Sequence, residues 1–166
     1  MPIFSLEAVA AHLPPRGALM GLDLGTKTIG VAVSDPDRRL ATPVTTVLRR
    51  RFNADAERLL ALAGERHVVG FVLGLPVNMD GTEGPRAQST RAFARNFARL
   101  TELPIALWDE RLSTAAVERA LIEADASRAR RKAVIDQHAA AYILQGALDR
   151  LVHAQTARPA SRDEDG

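Results

Sequence analysis

Gly21-Leu22-Asp23-Leu24-Gly25-Thr26-Lys27-Thr28-Ile29-Gly30-Val31-Ala32-Val33-Ser34-Asp35 decides the fold. Apolar runs at 18–22 and 29–33 flank Asp23, Gly25, Thr26, Lys27 and Thr28. The pattern reads as a strand over about 18–24, a tight turn, and a strand over about 28–34. The first strand is apolar throughout instead of alternating, which places it at the centre of a sheet, buried on both faces. Asp23 then sits in a strand that otherwise avoids charge. A buried carboxylate is costly unless it is paired or binds a cation. A turn-initiating Asp ahead of Gly25 is the competing reading, and this stretch alone does not separate the two.

Working outward, a hairpin turn at Asp35-Pro36-Asp37 leads to a third strand over 40–48, rich in β-branched residues. Three strands joined by short turns are antiparallel neighbours. The period then changes. Asn53 is expected to cap a helix over 54–65, with Ala56, Leu59, Leu60 and Ala63 on one face. A continuous apolar run over 68–75 reads as a fourth, buried strand. A loop over 77–85 precedes a helix over 86–100, and 103–108 is a short fifth strand ending at Asp109-Glu110-Arg111. Ser113 is expected to cap a helix over 114–122. Residues 124–131 read as a basic mobile loop, and 133–153 as the last helix. Residues 1–15 read as an appended helix ended by Pro14-Pro15, 16–153 as the domain, and 154–166 as a flexible tail. The sum is an α/β domain: a five-stranded mixed sheet, three strands antiparallel and two parallel, with helices on both faces.

The totals narrow the chemistry. The chain has 166 residues, a net charge of +2 and no cysteine. Thiolate metal sites are excluded, so a metal would be held by oxygen or His. His12, His67, His138 and His153 lack compact ligand spacing. No apolar run is long enough to span a bilayer, and the N-terminal segment carries Glu7 and lacks a basic start, so the expected location is cytoplasmic with no membrane partner. Positive charge is nearly all Arg, clustered at 49–51 and 128–132; Arg forks suit phosphate.

Three carboxylates are able to converge. Asp23 lies in the first strand of the core. Glu110 follows an apolar strand, at the carboxyl end where open α/β sheets bind ligands. Asp136 lies near the start of the last helix. Taken singly, Glu110 reads as an ion-pair partner of Arg111 or a helix-dipole charge, and Asp136 as a helix N-terminal charge. Taken together, three anions at one spot repel, and Mg2+ or Mn2+, which prefer oxygen ligands and engage phosphates, resolve that repulsion. Lys27 and Arg111 would then face a polyanion. Asn78 is a further candidate for substrate contact, although the Asp80-Gly81 beside it is a routine turn.

In this order of elements the sequence resembles the YqgF family of pre-16S rRNA nucleases, a Holliday junction resolvase-like group with an RNase H-like fold. The resemblance is carried by the 21–35 stretch, by Gly74-Leu75-Pro76-Val77-Asn78-Met79-Asp80-Gly81-Thr82, by Trp108-Asp109-Glu110-Arg111-Leu112-Ser113-Thr114, and by Ile135-Asp136-Gln137-His138-Ala139-Ala140 followed by Ile143-Leu144. It covers about 17–150. It implies Asp23, Glu110 and Asp136 as metal-binding catalytic acids and Mg2+ or Mn2+ as cofactor. It implies a hydrolase acting on structured RNA, processing the 5′ end of pre-16S rRNA in ribosome biogenesis. Branched DNA is the alternative substrate, with ribosome-associated partners and a monomer or homodimer expected. Gln137 stands where the family often has a small hydroxyl residue, and Ala139-Ala140 where related resolvases can carry a fourth acid. Two rivals share some of these features. Asp-x-Gly-Thr also opens sugar-kinase, actin and chaperone-type ATPases, but no second Asp-x-Gly hairpin is present. A non-catalytic RNA-binding assembly factor would keep the scaffold without needing the three acids.

Overall fold

The computed structural model describes residues 3–112 and 128–157, with side chains described for 3–112 and 138–152. The expected helix over 114–122, its Ser113 cap and the tail beyond 157 lie outside the described residues. Strands β2 (Ala18–Leu24) and β3 (Thr28–Ser34) have the expected bounds. Strands β4 (Ala41–Leu48), β5 (Val68–Leu75) and β6 (Ile105–Asp109) follow in turn. Pairing is antiparallel for β2 with β3 and for β3 with β4, and parallel for β2 with β5 and for β5 with β6.

The sheet has six strands, in the order β1-β6-β5-β2-β3-β4. The additional strand is β1 (Ile3–Ser5), which pairs in parallel with β6. The appended helix expected within residues 1–15 is therefore a strand first and becomes helical only from Leu6. Ser5 closes the strand and caps α1 (Leu6–Val9), its Oγ accepting from the Ala8 N–H at 3.2 Å. Without β1, the backbone groups along one side of β6 would form an open edge. The opposite edge is β4, and Pro43 is tolerated there because an edge strand has one side without ladder bonds.

Side chains alternate along the strands into two cores. Met20, Leu22, Ile29, Val31, Phe71 and Leu73 pack against α2 (Phe52–Glu65) and α3 (Pro85–Phe97) through Ala56, Leu59, Phe93 and Phe97. Leu19, Ala32, Val72, Ala106 and Trp108 pack against α4 (Arg128–Ala157) through Ala140, Ile143, Leu144, Ala147 and Leu148. Each fully buried Leu, Ile or Phe contributes roughly 1.5–3 kcal/mol relative to exposure, so the two-sided burial of β2 and β5 ties both helical layers to the same strands.

Two helix starts differ from expectation. In α2 the helix opens at Phe52, so Asn53 lies inside the first turn and caps nothing. The buried Asp55 instead reaches back to accept from the Arg50 N–H at 3.1 Å. In α4 the helix begins at Arg128, five residues before the expected start, because Arg, Ala and Lys are strong helix formers even in a run too polar to read as one.

Candidate active site

Asp23 is 7% exposed, near the carboxyl end of β2. Its direction follows from the alternation. Leu19 packs in the α4 core and Leu22 in the opposite one, so Gly21 and Asp23 face α4. A Cβ on Gly21 would lie 2.7 Å from Leu144 Cβ and 3.1 Å from the Ala140 carbonyl oxygen. The helix thus rests directly on β2 at that glycine, one step before the acid.

Glu110 opens a 3-10 turn (Glu110–Leu112) immediately after β6. Its carboxylate folds back over β5: Oε1 lies 3.2 Å, and Cγ 3.1 Å, from where a Cβ on Gly74 would stand. Register connects this point to Asp23. Leu22 pairs with Leu73, so Asp23 and Gly74 are the next residues of two adjacent parallel strands, about 5 Å apart across the sheet. On the other side Asp23 pairs with Gly30 of β3. The acid therefore sits between two residues without side chains, and the Glu110 carboxylate occupies the space above one of them. The structure brings Asp23 and Glu110 to one spot on the α4 face.

Asp136 belongs to α4, but its side chain lies outside those described. The course of the helix places its backbone. Leu151 lies by Arg38 in the β3–β4 turn, and Arg38 Nε donates to the Gly17 carbonyl just ahead of β2. Ala140 lies over Gly21. Going back along the helix thus leads towards the carboxyl end of β2. Four helical residues rise about 6 Å, so the backbone at residue 136 lies about one turn beyond Ala140 in that direction. Among the described residues no group of three His, Asp or Glu is placed to hold a metal ion.

The other candidates are placed differently. Arg111 does not pair with Glu110. Its guanidinium clamps Asp109, with Nη2 to Oδ2 at 2.7 Å and Nε to Oδ1 at 3.2 Å. That fork holds the Asp109 carboxyl below its ordinary range and raises the Arg111 pKa in return. Nη1 also donates to the carbonyls of Asn78 and Met79, at 3.4 and 3.3 Å. Asn78 donates through Nδ2 to Thr82 Oγ1 and through its N–H to the Thr82 carbonyl. Asp80 Oδ1 accepts from the Thr82 N–H and hydroxyl, which lower its pKa. The 78–82 segment is thus a locked turn that walls a hollow of about 350 Å³ with Pro76, Val77, Pro85, Arg86, Glu110 and Arg111. Lys27 is exposed in the β2–β3 turn and lines neither this hollow nor its neighbour.

Arg86 and Gly74 were not singled out from the sequence. The signal for Gly74 was present, since a glycine inside a buried apolar strand marks a close approach. For Arg86 the Gly84-Pro85 ahead of it marked a helix start, and nothing marked which way its side chain points.

A model of the RuvX Holliday junction resolvase family matches residues 17–150. A Rhodopseudomonas palustris (strain BisB5) protein named "Putative pre-16S rRNA nuclease" is 78% identical over 151 residues, covering 91% of this chain and 94% of its own length. A Bradyrhizobium protein (strain BTAi1) of the same name is 75% identical over 150 residues, covering 90% and 93%. Thermus thermophilus RuvC in complex with a Holliday junction substrate matches with a TM-score of 0.54 at 11% identity, over 83% of this chain and 97% of that one. The yeast mitochondrial Holliday junction resolvase matches with a TM-score of 0.51 at 11% identity, over 92% and 87%. At such identity the two structural likenesses establish the fold alone. The family model, spanning every element from β2 to most of α4, and the near-full-length relatives at three-quarters identity establish more: the chain belongs to the RuvX Holliday junction resolvase family.

Proposed function

We propose that the protein is a metal-dependent nuclease that hydrolyses phosphodiester bonds in the 5′ region of pre-16S rRNA during ribosome biogenesis in the cytoplasm. The observation that carries the reading is the Glu110 carboxylate folded over Gly74, beside the buried Asp23. Two acids on one face of the sheet, one of them in a strand interior, form an all-oxygen donor set, which suits a hard divalent cation. Asp23, Glu110 and Asp136 would hold Mg2+ or Mn2+. When bound, such ions supply an activated water and neutralise charge on the leaving oxygen.

The chain's own residues do the rest. Burial in β2 fixes Asp23, and the 3-10 turn fixes Glu110, so the acids are positioned before substrate arrives. The hollow between Glu110 and the locked 78–82 turn receives the phosphate backbone, with Asn78 and Arg111 as substrate contacts, and Lys27, exposed outside the hollow, contacts the flanking strand. Supporting the RNA assignment, the relatives at three-quarters identity carry the pre-16S rRNA nuclease name. The family description favours a second reading, a four-way DNA junction as substrate. No helix among the described residues is long and apolar enough to cross a membrane.

A cleavage assay separates these. Pre-16S rRNA, single-stranded RNA and a four-way DNA junction are incubated side by side with Mg2+, with Mn2+ and with EDTA. The expected result is cleavage of the rRNA precursor with either metal, none with EDTA, and none by Asp23→Asn of native fold. Wild-type cleavage by Asp23→Asn would overturn the assignment; preferential junction cutting would replace the RNA substrate with DNA.

A further inference from the structure

A second hollow, of about 220 Å³, adjoins the first and shares Pro85 and Arg86 with it. Its other walls are Leu24, Gly25, Thr26, Arg49, Ser89 and Thr90. It lies at the end of β2, one residue past Asp23, where the β2–β3 turn meets the start of α3. Two guanidinium groups converge there. Arg49 Nη1 donates to the Gly25 carbonyl at 2.6 Å, and Arg86 Nη2 donates to the Leu24 carbonyl at 3.4 Å. The Arg49 guanidinium also lies 5.9 Å from the ring centroid of Phe93.

Neither arginine pairs with a carboxylate among the described residues. The acid nearest in sequence to this helix start, Glu83, is held by Arg91 through both oxygens, at 2.6 and 2.7 Å. Two cations drawn to the carbonyls of consecutive residues repel one another unless an anion lies between them. Each guanidinium has five N–H donors in a planar fork matched to phosphate, and each gives only one to those carbonyls. The hollow adds the Thr26 and Ser89 hydroxyls. It also adds the uncapped N-terminus of the thirteen-residue α3, where the helix dipole favours negative charge.

We propose that Arg49 and Arg86 form a phosphate subsite for the same nucleic-acid strand whose scissile bond lies at Asp23 and Glu110, so that the strand crosses the carboxyl edge of the sheet from β6 towards β4. This rests on the nuclease reading above. Arg86 borders both hollows and marks the crossing; Arg49 holds the flanking phosphate on the far side. The subsite is for backbone, and it contributes affinity and direction with no base preference.

The test measures binding without cleavage. Anisotropy of a fluorescein-labelled single-stranded RNA is followed in EDTA over a range of NaCl for the wild type, Arg49→Gln, Arg86→Gln and the double variant. Gln keeps a donor for the Leu24 or Gly25 carbonyl while removing the charge, and the exposed Arg86 gives a variant whose folding is secure. Each phosphate contact to a single strand contributes about 0.7 to the slope of log K against log salt, or about fivefold at 0.1 M relative to 1 M. The expected outcome is a loss of about 0.7 in slope for each variant and about 1.4 for the pair. Arg95→Gln, nine residues along α3 and on its opposite side, is expected to match the wild type. Unchanged slopes in both variants, or an equal loss in Arg95→Gln, would overturn the subsite. Displacement of the RNA by inorganic phosphate beyond the effect of matched NaCl, undiminished in the double variant, would also overturn it, by placing the phosphate-sensitive contact elsewhere. If the wild type cleaves nothing yet these slopes fall, the nuclease reading fails and the subsite stands. If cleavage is intact and the slopes do not move, the subsite fails alone.

Discussion

Replacing Gly74 with Ala probes the geometry on which the site depends. The added methyl would stand 2.6 Å from Ile143 Cδ1, 3.1 Å from Glu110 Cγ and 3.2 Å from Glu110 Oε1. The first contact is the severe one, but Cδ1 ends a flexible side chain and can rotate away. Overpacking of this kind costs about 1–2 kcal/mol, or roughly 2–8 °C in Tm for a chain of this size. The two Glu110 contacts need only a few tenths of an ångström of relief, and the acid itself must supply it, because β5 cannot yield without breaking its ladders to β2 and β6. Displacement of a reacting group by 1 Å costs about a hundredfold in rate, so a smaller shift predicts roughly a tenfold to hundredfold fall in kcat. The two effects are separable. Ile143→Val removes Cδ1 and with it the severe clash, while leaving Glu110 displaced. In the double variant Gly74→Ala/Ile143→Val, Tm is expected to recover relative to Gly74→Ala, and kcat is not. Single-turnover cleavage of the rRNA precursor, measured well below both melting transitions, reads the rate. A folded Gly74→Ala with wild-type kcat would refute the claim that the Glu110 carboxylate works from above β5. Recovery of kcat together with Tm would show that the loss was a packing effect.

Further measurements probe other parts of the molecule. Trp108 is the chain's single tryptophan and pairs with Gly74, directly beside the acids; its fluorescence is expected to be quenched by Mn2+ in the wild type, with the midpoint raised at least tenfold in Glu110→Gln. Gly21→Ala brings a methyl against Leu144 Cβ and the Ala140 carbonyl, atoms that cannot rotate aside; thermal melts are expected to show a loss of about 3 kcal/mol, more than for Gly74→Ala. Asp35 Oδ1 accepts from the Arg39 and Leu40 N–H groups at 2.8 and 2.9 Å, bonds that lower its pKa below the ordinary 3.8. A carboxyl depressed in the folded state stabilises above its unfolded pKa and loses that contribution as pH falls through the folded value. Between pH 4 and pH 2, urea melts of Asp35→Asn are therefore expected to lose less stability than those of the wild type. Arg111→Lys keeps the charge but loses the fork that joins Asp109 to the Asn78 and Met79 carbonyls; limited proteolysis is expected to cut near Met79, which is 89% exposed, faster than in the wild type.

The sequence disclosed the sheet well where burial is two-sided. In β2, β3 and β5 a continuous apolar run and bounding turn residues fix the ends, and those bounds are the observed ones. It disclosed less where a segment's structure depends on a distant partner. The three residues of β1 are a strand only because β6 offers an edge, and no local pattern distinguishes them from the helix that follows. Arg111 was legible as a cation near the site, but its pairing with Asp109 instead of Glu110 depends on the 3-10 turn that carries Glu110 back over β5.

The same limit bears on the site itself. Asp23 and Glu110 draw attention because each is a charge next to an apolar strand, yet charge alone does not make them neighbours. What makes them neighbours is a residue with no side chain: Gly74, on the strand beside Asp23, leaves the sheet surface bare where the Glu110 side chain lies. A valine at 74 would suit the strand better on propensity and would collide with Ile143 and Glu110. A glycine inside a strand weakens it, and here two occur beside the same buried acid. The cost is borne in the part of the sheet where an anion, a cation and a phosphate would have to approach within a few ångströms. Register, which no single stretch of sequence contains, is what sets both glycines beside the one buried acid.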